Sequence, residues 1–348
     1  MDAYIPVICC IVVGLILIVK GGDWFVDAVI WIAKITKIPN FIIGATLVSL
    51  VTTLPELIVS SIAASEGVES AGIAVGNAIG SVTANTGLIL ALTLTFSPFV
   101  INRNEYMLRS CLLVGAIALL FGLSASGVLN PWLSILMFVP LLVFMVDNLK
   151  QGKKDMLSKK SLQEKAKAEG LEIPKDEEDE APQKDSKTII TNVVKFIVGI
   201  TAIVVGSDLL VDYAKELAQM MGISDGVIAV TIVAIGTSLP ELVTTITALV
   251  KKNADLSAGN IVGANLIDIC LILPICAIIS ASLGLTGLSV SLQARYLDFP
   301  FCLAISAVAF IPALIFKRFR RWQGITMMGL YISYLVLCVL MAEGIIFA

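Results

Sequence analysis

The chain contains no histidine. That single absence removes imidazole metal ligation, His-dependent nucleophilic triads and HExxH proteolysis. No GxSxG or other metal-hydrolase motif takes their place, so an enzyme is not expected. Charge is scarce too. Only 15% of the 348 residues are Asp, Glu, Lys or Arg, against about 25% in a soluble domain. The net charge of -3 carries no signature of a nucleic-acid partner. Cysteine is present seven times, at Cys9, Cys10, Cys111, Cys270, Cys276, Cys302 and Cys338, always in apolar runs and never at zinc spacing. An odd count argues against a complete disulfide framework, and small buried packing residues are the expected role. Strand alternation with turn punctuation is missing, which argues against a barrel.

What is abundant is apolar residues, 57% of the chain, and the composition is that of an integral membrane protein. Apolar spans fall near 4–34, 40–64, 70–95, 107–126, 129–147, 188–219, 225–250, 255–282, 297–316 and 324–346. Each is long enough to cross a bilayer as a helix. The first, beginning MDAYIPVICC, lacks a basic n-region and a clear cleavage site, and reads as a retained transmembrane helix. The fifth and sixth spans are separated by the long polar segment 148–187, with KQGKKDMLSKK followed by the acidic run Asp176, Glu177, Glu178, Asp179, Glu180. Such a block buries no core and reads as a solvated, partly disordered linker.

Lys and Arg set the expected orientation. With the linker inside, 21 of the 24 basic residues fall on its side of the membrane, while Lys215 and Arg295 face the other side and Lys20 lies within the first span. The reading is a multi-pass protein of the cell membrane with a cytoplasmic linker and both termini outside. No motif speaks to oligomeric state.

The chain repeats itself. GGDWFVD at 21–27 matches GSDLLVD at 206–212, and TTLPEL at 52–57 matches TSLPEL at 237–242, both at an offset of 185. Further on the offset is 183, where GNAIGSVTAN at 76–85 matches GNIVGANLID at 259–268. Five spans in each half is an odd number, so the halves enter the membrane from opposite sides. The expected fold is therefore an all-α integral membrane protein of ten transmembrane helices. They form two inverted five-helix repeats, 1–147 and 188–348, with broken helices at the midplane.

The repeated motif places two faults together. Pro55 and Pro240 lack an amide hydrogen and displace the carbonyl four residues back, which strips the carbonyls of Val51 and Gly236 and leaves those of Thr52 and Thr237 near the break. Non-helical backbone at that depth is tolerated only inside protein or against a wet cavity. Glu56 and Glu241 add negative charge beside it, and Thr52, Thr53, Thr237 and Ser238 add hydroxyls. An all-oxygen site with carboxylates suits hard cations such as Ca2+ or Na+. Ser81 and Asn85 lie four residues apart on one helical face, with Ala264 and Asp268 in the matching places. Asn85 and Asp268 are polar groups deep in apolar helices, where an inward, functional role is the default. Asp23, Asp27, Asp208 and Asp212 also repeat, nearer the span ends, where solvation or capping serves equally well. Gly14, Gly76 and Gly263 read as close-packing positions.

These two blocks resemble the alpha repeats of the cation/calcium exchanger superfamily, and most closely its prokaryotic sodium/calcium exchangers. The likeness covers essentially the whole chain, with the motifs at 44–90 and 229–273. It implies a secondary active antiporter that moves Ca2+ against Na+ by alternating access at a midplane oxygen-ligand site, without a cofactor. A Ca2+/H+ or other divalent antiporter is the alternative. By that resemblance Glu56 and Glu241 are the central carboxylates, joined around calcium by the carbonyls of Thr52 and Thr237. Sodium would use the carbonyls of Ser49 and Ala234 and the hydroxyls of Thr53, Ser81 and Ser238. Asn85 and Asp268 would complete the middle. The first and sixth helices would slide over the other eight. Three positions depart from the family pattern: Val51 replaces Gly, Thr53 replaces Ser but keeps its hydroxyl, and Ala264 replaces Ser, which removes one hydroxyl from the outer sodium position.

Overall fold

The computed structural model describes residues 4–66, 68–98, 103–168, 185–221 and 236–346. They are almost entirely helical. Among the described residues eight helices are long and apolar enough to cross a membrane, and a bent pair makes a ninth. Of the expected span 225–250, the described part is the shorter apolar helix Leu239–Val250.

The first half of the chain begins with α1 (Tyr4–Thr36). The bent pair follows as α2 (Asn40–Thr52) and α3 (Leu54–Ser65), which meet at 44°. Next comes α4 (Val68–Ala84), prolonged through a π turn at Asn85–Leu90 and on to Phe96. Then come α5 (Arg103–Leu123) and α6 (Phe138–Ala168). The second half opens with α7 (Ser186–Met220) and α8 (Leu239–Val250). It continues with α9 (Ala254–Ile267), prolonged through a π turn at Asp268–Ile272 and on to Ser282. The last two helices are α10 (Phe299–Phe316) and α11 (Arg321–Ala342). A two-residue antiparallel ladder, Val128↔Ser289 and Leu129↔Leu288, joins the loops before α6 and α10.

One boundary differs from the sequence reading. α6 does not stop at the membrane edge near 147 but continues to Ala168. The first half of the segment read as a solvated, partly disordered linker is therefore helical. Its residues are mostly Lys, Gln, Leu, Ala and Glu, all good helix formers, with Gly152 the lone weak point. Being polar does not stop a helix from propagating once the apolar part has nucleated it. The acidic run 176–180 lies outside the described residues.

α4 and α9 form the centre. In their most apolar stretches 72% and 83% of residues are buried, against 28% in α1 and 17% in α7. Ile79, Val82, Leu266 and Ile269 belong to one continuous core with Phe144 and Phe310. α1 and α7 lie against each other along a glycine seam. A Cβ added at Gly14 would stand 3.0 Å from the Gly206 carbonyl oxygen, and one at Gly21 would stand 2.7 Å from that of Gly199. The two pairs run in opposite directions along the chain, so the helices are antiparallel. The contacts are also reciprocal under the sequence repeat: an offset of 185 carries Gly14 onto Gly199 and Gly21 onto Gly206.

Candidate cation site

The two broken helices have the same local design. α3 and α8 each contain 12 residues and open with Leu-Pro-Glu. The residue before each has nearly the same backbone, φ -86°, ψ 3° at Thr53 and φ -88°, ψ 9° at Ser238. Proline is harmless in a first turn, where its missing amide would have had no partner. It is costly only to the segment before it, which therefore ends there. Glu56 and Glu241 fall in the first turn of their helices, at the positive end of the helix dipole, where a carboxylate is favoured.

The central helices also match. Asn85 opens the π turn of α4, and Asp268 opens that of α9. A π turn carries one residue more than the helix it interrupts, and such insertions recur at functional sites. That the same distortion starts at the same repeat position in both halves ties it to these two polar residues.

The predicted donors are packed away from solvent. Glu56, Glu241, Asp268, Asn85, Ser81, Ser49, Thr52, Thr53 and Ser238 are all buried, and Thr237 is half-buried. Ala234 lies outside the described residues. Most buried polar atoms in a folded protein have a hydrogen-bond partner. Among the described residues Glu56 Oε2, both carboxylate oxygens of Glu241 and of Asp268, Asn85 Oδ1, and the hydroxyls of Ser81, Thr237 and Ser238 have none. Such a concentration of bare oxygens is expensive unless something cationic occupies it.

These groups also face one another across the repeat. The carboxyl of Glu56 interacts electrostatically with Glu241 and Asp268, and Asp268 with Glu241. Thr52 of the first half lies beside Glu241 of the second without closing a hydrogen bond to it. The hydroxyls of Thr52 and Thr53 instead donate to the Ser49 carbonyl at 3.4 and 2.7 Å, and that of Ser49 to Thr46 at 3.3 Å. A hydroxyl that has spent its hydrogen on its own helix presents only lone pairs elsewhere. Among the described residues no three His, Cys, Asp or Glu side chains converge as a metal-holding group. A cation here would need hydroxyl, amide and carbonyl oxygens to complete its shell.

Three amides, two of them fully buried, stabilise this arrangement, and the repeat motif drew attention only to the first two. Asn77 donates to Ser60 at 3.0 Å, tying α4 to α3. Asn260 donates to Thr244 at 3.1 Å, and Thr244 to the Pro240 carbonyl at 2.9 Å, tying α9 to α8 beside Glu241. The third, Asn265, donates to Thr86 at 2.8 Å and so joins α9 to α4 across the repeat. Its repeat partner is Val82, so repetition could not have singled it out. The available signal was an amide inside an apolar run.

Comparison with known proteins agrees with this architecture. The family model described as sodium/calcium exchanger protein matches residues 6–149 and 191–340. The membrane protein MJ0091 of Methanocaldococcus jannaschii is 30% identical over 320 residues, 92% of this chain and 93% of its own length. The sodium/calcium exchanger MaX1 of Methanosarcina acetivorans is 31% identical, with 94% of this chain and 96% of that protein covered. A solved structure of the sodium-calcium exchanger NCX_Mj, soaked with 2.5 mM Na+ and 0.1 mM Ca2+, superimposes with a TM-score of 0.76 at 26% identity, covering 95% of this chain and 98% of that one.

Proposed function

The chain belongs to the sodium/calcium exchanger family, and from that premise we propose how its buried oxygens carry out transport. It is a multi-pass membrane antiporter that exchanges Ca2+ for Na+. The ions bind at mid-membrane between the two broken helices. Glu56 and Glu241 are the shared carboxylates. The carbonyls of Thr52 and Thr237 join them around Ca2+. The carbonyls of Ser49 and Ala234 and the hydroxyls of Thr53, Ser81 and Ser238 serve Na+, with Asn85 and Asp268 between. The observation that carries this reading is the set of buried, unpartnered oxygens on four separate helical segments.

The same charges explain why transport is an exchange. Carboxylates gathered in a low-dielectric site repel one another when nothing neutralises them. Crossing between the two access states is costly with the site empty and permitted with it filled. One Ca2+ or a set of Na+ ions supplies the positive charge, so one must enter before the other can be carried back.

The moving part in this reading is the α1–α7 pair. Its reciprocal glycine contacts suit a pseudo-two-fold axis lying in the membrane plane, the relation expected of two inverted five-helix repeats. The asymmetry of Lys and Arg puts the linker in the cytoplasm and both termini outside.

Flux into proteoliposomes tests the reading, with Na+, K+ and H+ gradients imposed separately. Ca2+ uptake driven by an outward Na+ gradient, and abolished by Glu56→Gln, is the expected result. Uptake that follows the pH gradient and ignores Na+ would convert the assignment to Ca2+/H+ exchange. Ca2+ flux with no counter-ion would make the protein a channel.

A further inference from the structure

The repeated aspartates near the span ends have no part in the cation cluster, and the structure gives one pair of them a partner. Lys251 caps the end of α8 and reaches across to α1. Its ammonium contacts the carboxylate of Asp27 at 2.5 Å, that of Asp23 at 3.4 Å and the Asp23 carbonyl at 3.0 Å. Lys195 of α7 contacts Asp27 at 3.3 Å. The turn that carries Lys251 is itself fixed to the central body. Asn253 Nδ2 donates to the Lys251 carbonyl at 2.8 Å, and the Asn253 side-chain oxygen accepts from Asn40 of α2 at 2.9 Å. One lysine on a braced turn therefore holds two carboxylates on the peripheral helix pair. Next to it along α1, Phe25, Val26 and Val29 are buried in one apolar cluster with Val48 of α2, Ala248 of α8 and Leu256 of α9.

The other half lacks this device. The offset of 185 carries Asp23 and Asp27 onto Asp208 and Asp212, but it carries Lys251 back onto Glu66. Among the described residues the ion pair there is Asp212 with Lys215, 3.5 Å apart on the same helix. The sequence offers no basic residue between Lys215 and Lys251, nor between Lys37 and Arg103. Opposite the latch, two aspartates have an acidic residue at the position where a lysine would close them down.

We propose that Lys251 is an electrostatic latch that closes the α1–α7 pair onto the central body at the linker side. Because Glu66 occupies the mirrored position, the described residues hold no equivalent tie on the other side, and the latch favours the state closed at the linker side. This inference rests on the alternating-access reading above, since it assigns a bias to the motion that reading requires. A Lys251 pair that is partly exposed is modest on its own. Sharing one ammonium between two carboxylates and a carbonyl, with Lys195 closing the group, makes it a network. A network of that size shifts a two-state equilibrium by several-fold, which is enough to set the resting state of a transporter with balanced halves.

The test is amide hydrogen exchange on the full chain in nanodiscs without Na+ or Ca2+, read on peptides covering residues 20–30 and 248–258. Lys251→Met keeps the aliphatic stem and removes the charge; exchange in both peptides should rise about three- to tenfold. Lys251→Arg should stay near wild type. Glu66→Lys leaves every contact described above in place and adds a tie on the opposite side, so it should lower exchange in peptides covering 58–66 and 206–216. An unchanged Lys251→Met protein, an Arg variant no better than Met, or a Glu66→Lys variant with no protection at 58–66 and 206–216 would each overturn the latch. Because the readout needs no transported ion, it is independent of the flux assay. Loss of Na+-driven flux in the wild type with the exchange pattern intact would remove the antiport reading and leave the latch standing.

Discussion

α9 and α7 are both long, apolar and membrane-spanning, yet 83% of the most apolar stretch of one is buried and only 17% of the other. The difference lies in what each carries on its contact face. α9 carries Asn260, Asn265 and Asp268, which key it to α8, to α4 and to the carboxylate cluster. α7 meets α1 through glycines that bring backbone against backbone, flanked by the Phe25–Phe196 ring contact and the Lys195–Asp27 ion pair. Hydrogen bonds between buried side chains fix one register and penalise any other. A glycine seam offers close van der Waals contact with little to hold it at a single position. In the proposed mechanism the centre holds the ions and the periphery moves over it.

Disabling the centre should have the largest effect. Glu56→Gln or Glu241→Gln keeps shape and removes charge from the cluster; Ca2+ exchange in proteoliposomes should fall by about 100-fold or more, with helix content by circular dichroism unchanged. Roughening the periphery comes next. Gly21→Val or Gly199→Val forces a branched side chain into a backbone contact, and exchange should drop roughly tenfold through strain of about 1–3 kcal/mol. Ca2+ binding measured by calorimetry should stay within about threefold, because the cluster is untouched. If binding falls as far as flux, the division of labour is wrong. Gly329→Ala is the control, since nothing approaches within 4 Å of a Cβ there; it should leave flux unaltered.

Smaller effects sharpen the contrast within the centre. Asn265→Val matches the residue at the repeat position and leaves the Thr86 hydroxyl unpartnered, so unfolding in detergent should occur with a stability loss of about 1–3 kcal/mol. Ala264→Ser restores the hydroxyl that the family pattern carries. A single added ligand of that kind should lower the Na+ concentration for half-maximal exchange by about two- to fivefold. An unchanged Na+ dependence would show that the position does not face sodium.

Much of this protein is legible in the sequence because membrane insertion is a local, additive property. Each apolar run satisfies its own backbone as a helix, so spans and class follow from composition without knowledge of the partners. The broken helices were legible for the same reason, because Pro55 and Pro240 act on their own chain. The repeat offset then paired Glu56 with Glu241 and Asn85 with Asp268. The continuation of α6 to Ala168 was missed, since polarity was read as irregularity although Lys, Glu and Ala propagate helices well.

Tertiary structure decided the relations between residues that share no local pattern. Asn265 meets Thr86 across 179 positions, and Lys251 meets Asp27 across 224. Neither contact has a period or a motif, and each exists only because packing brings separate helices to one depth. Whether a buried oxygen is satisfied or bare is likewise a property of its neighbours, which is why the sequence could nominate the cluster's donors but only the folded chain reveals which of them lack partners.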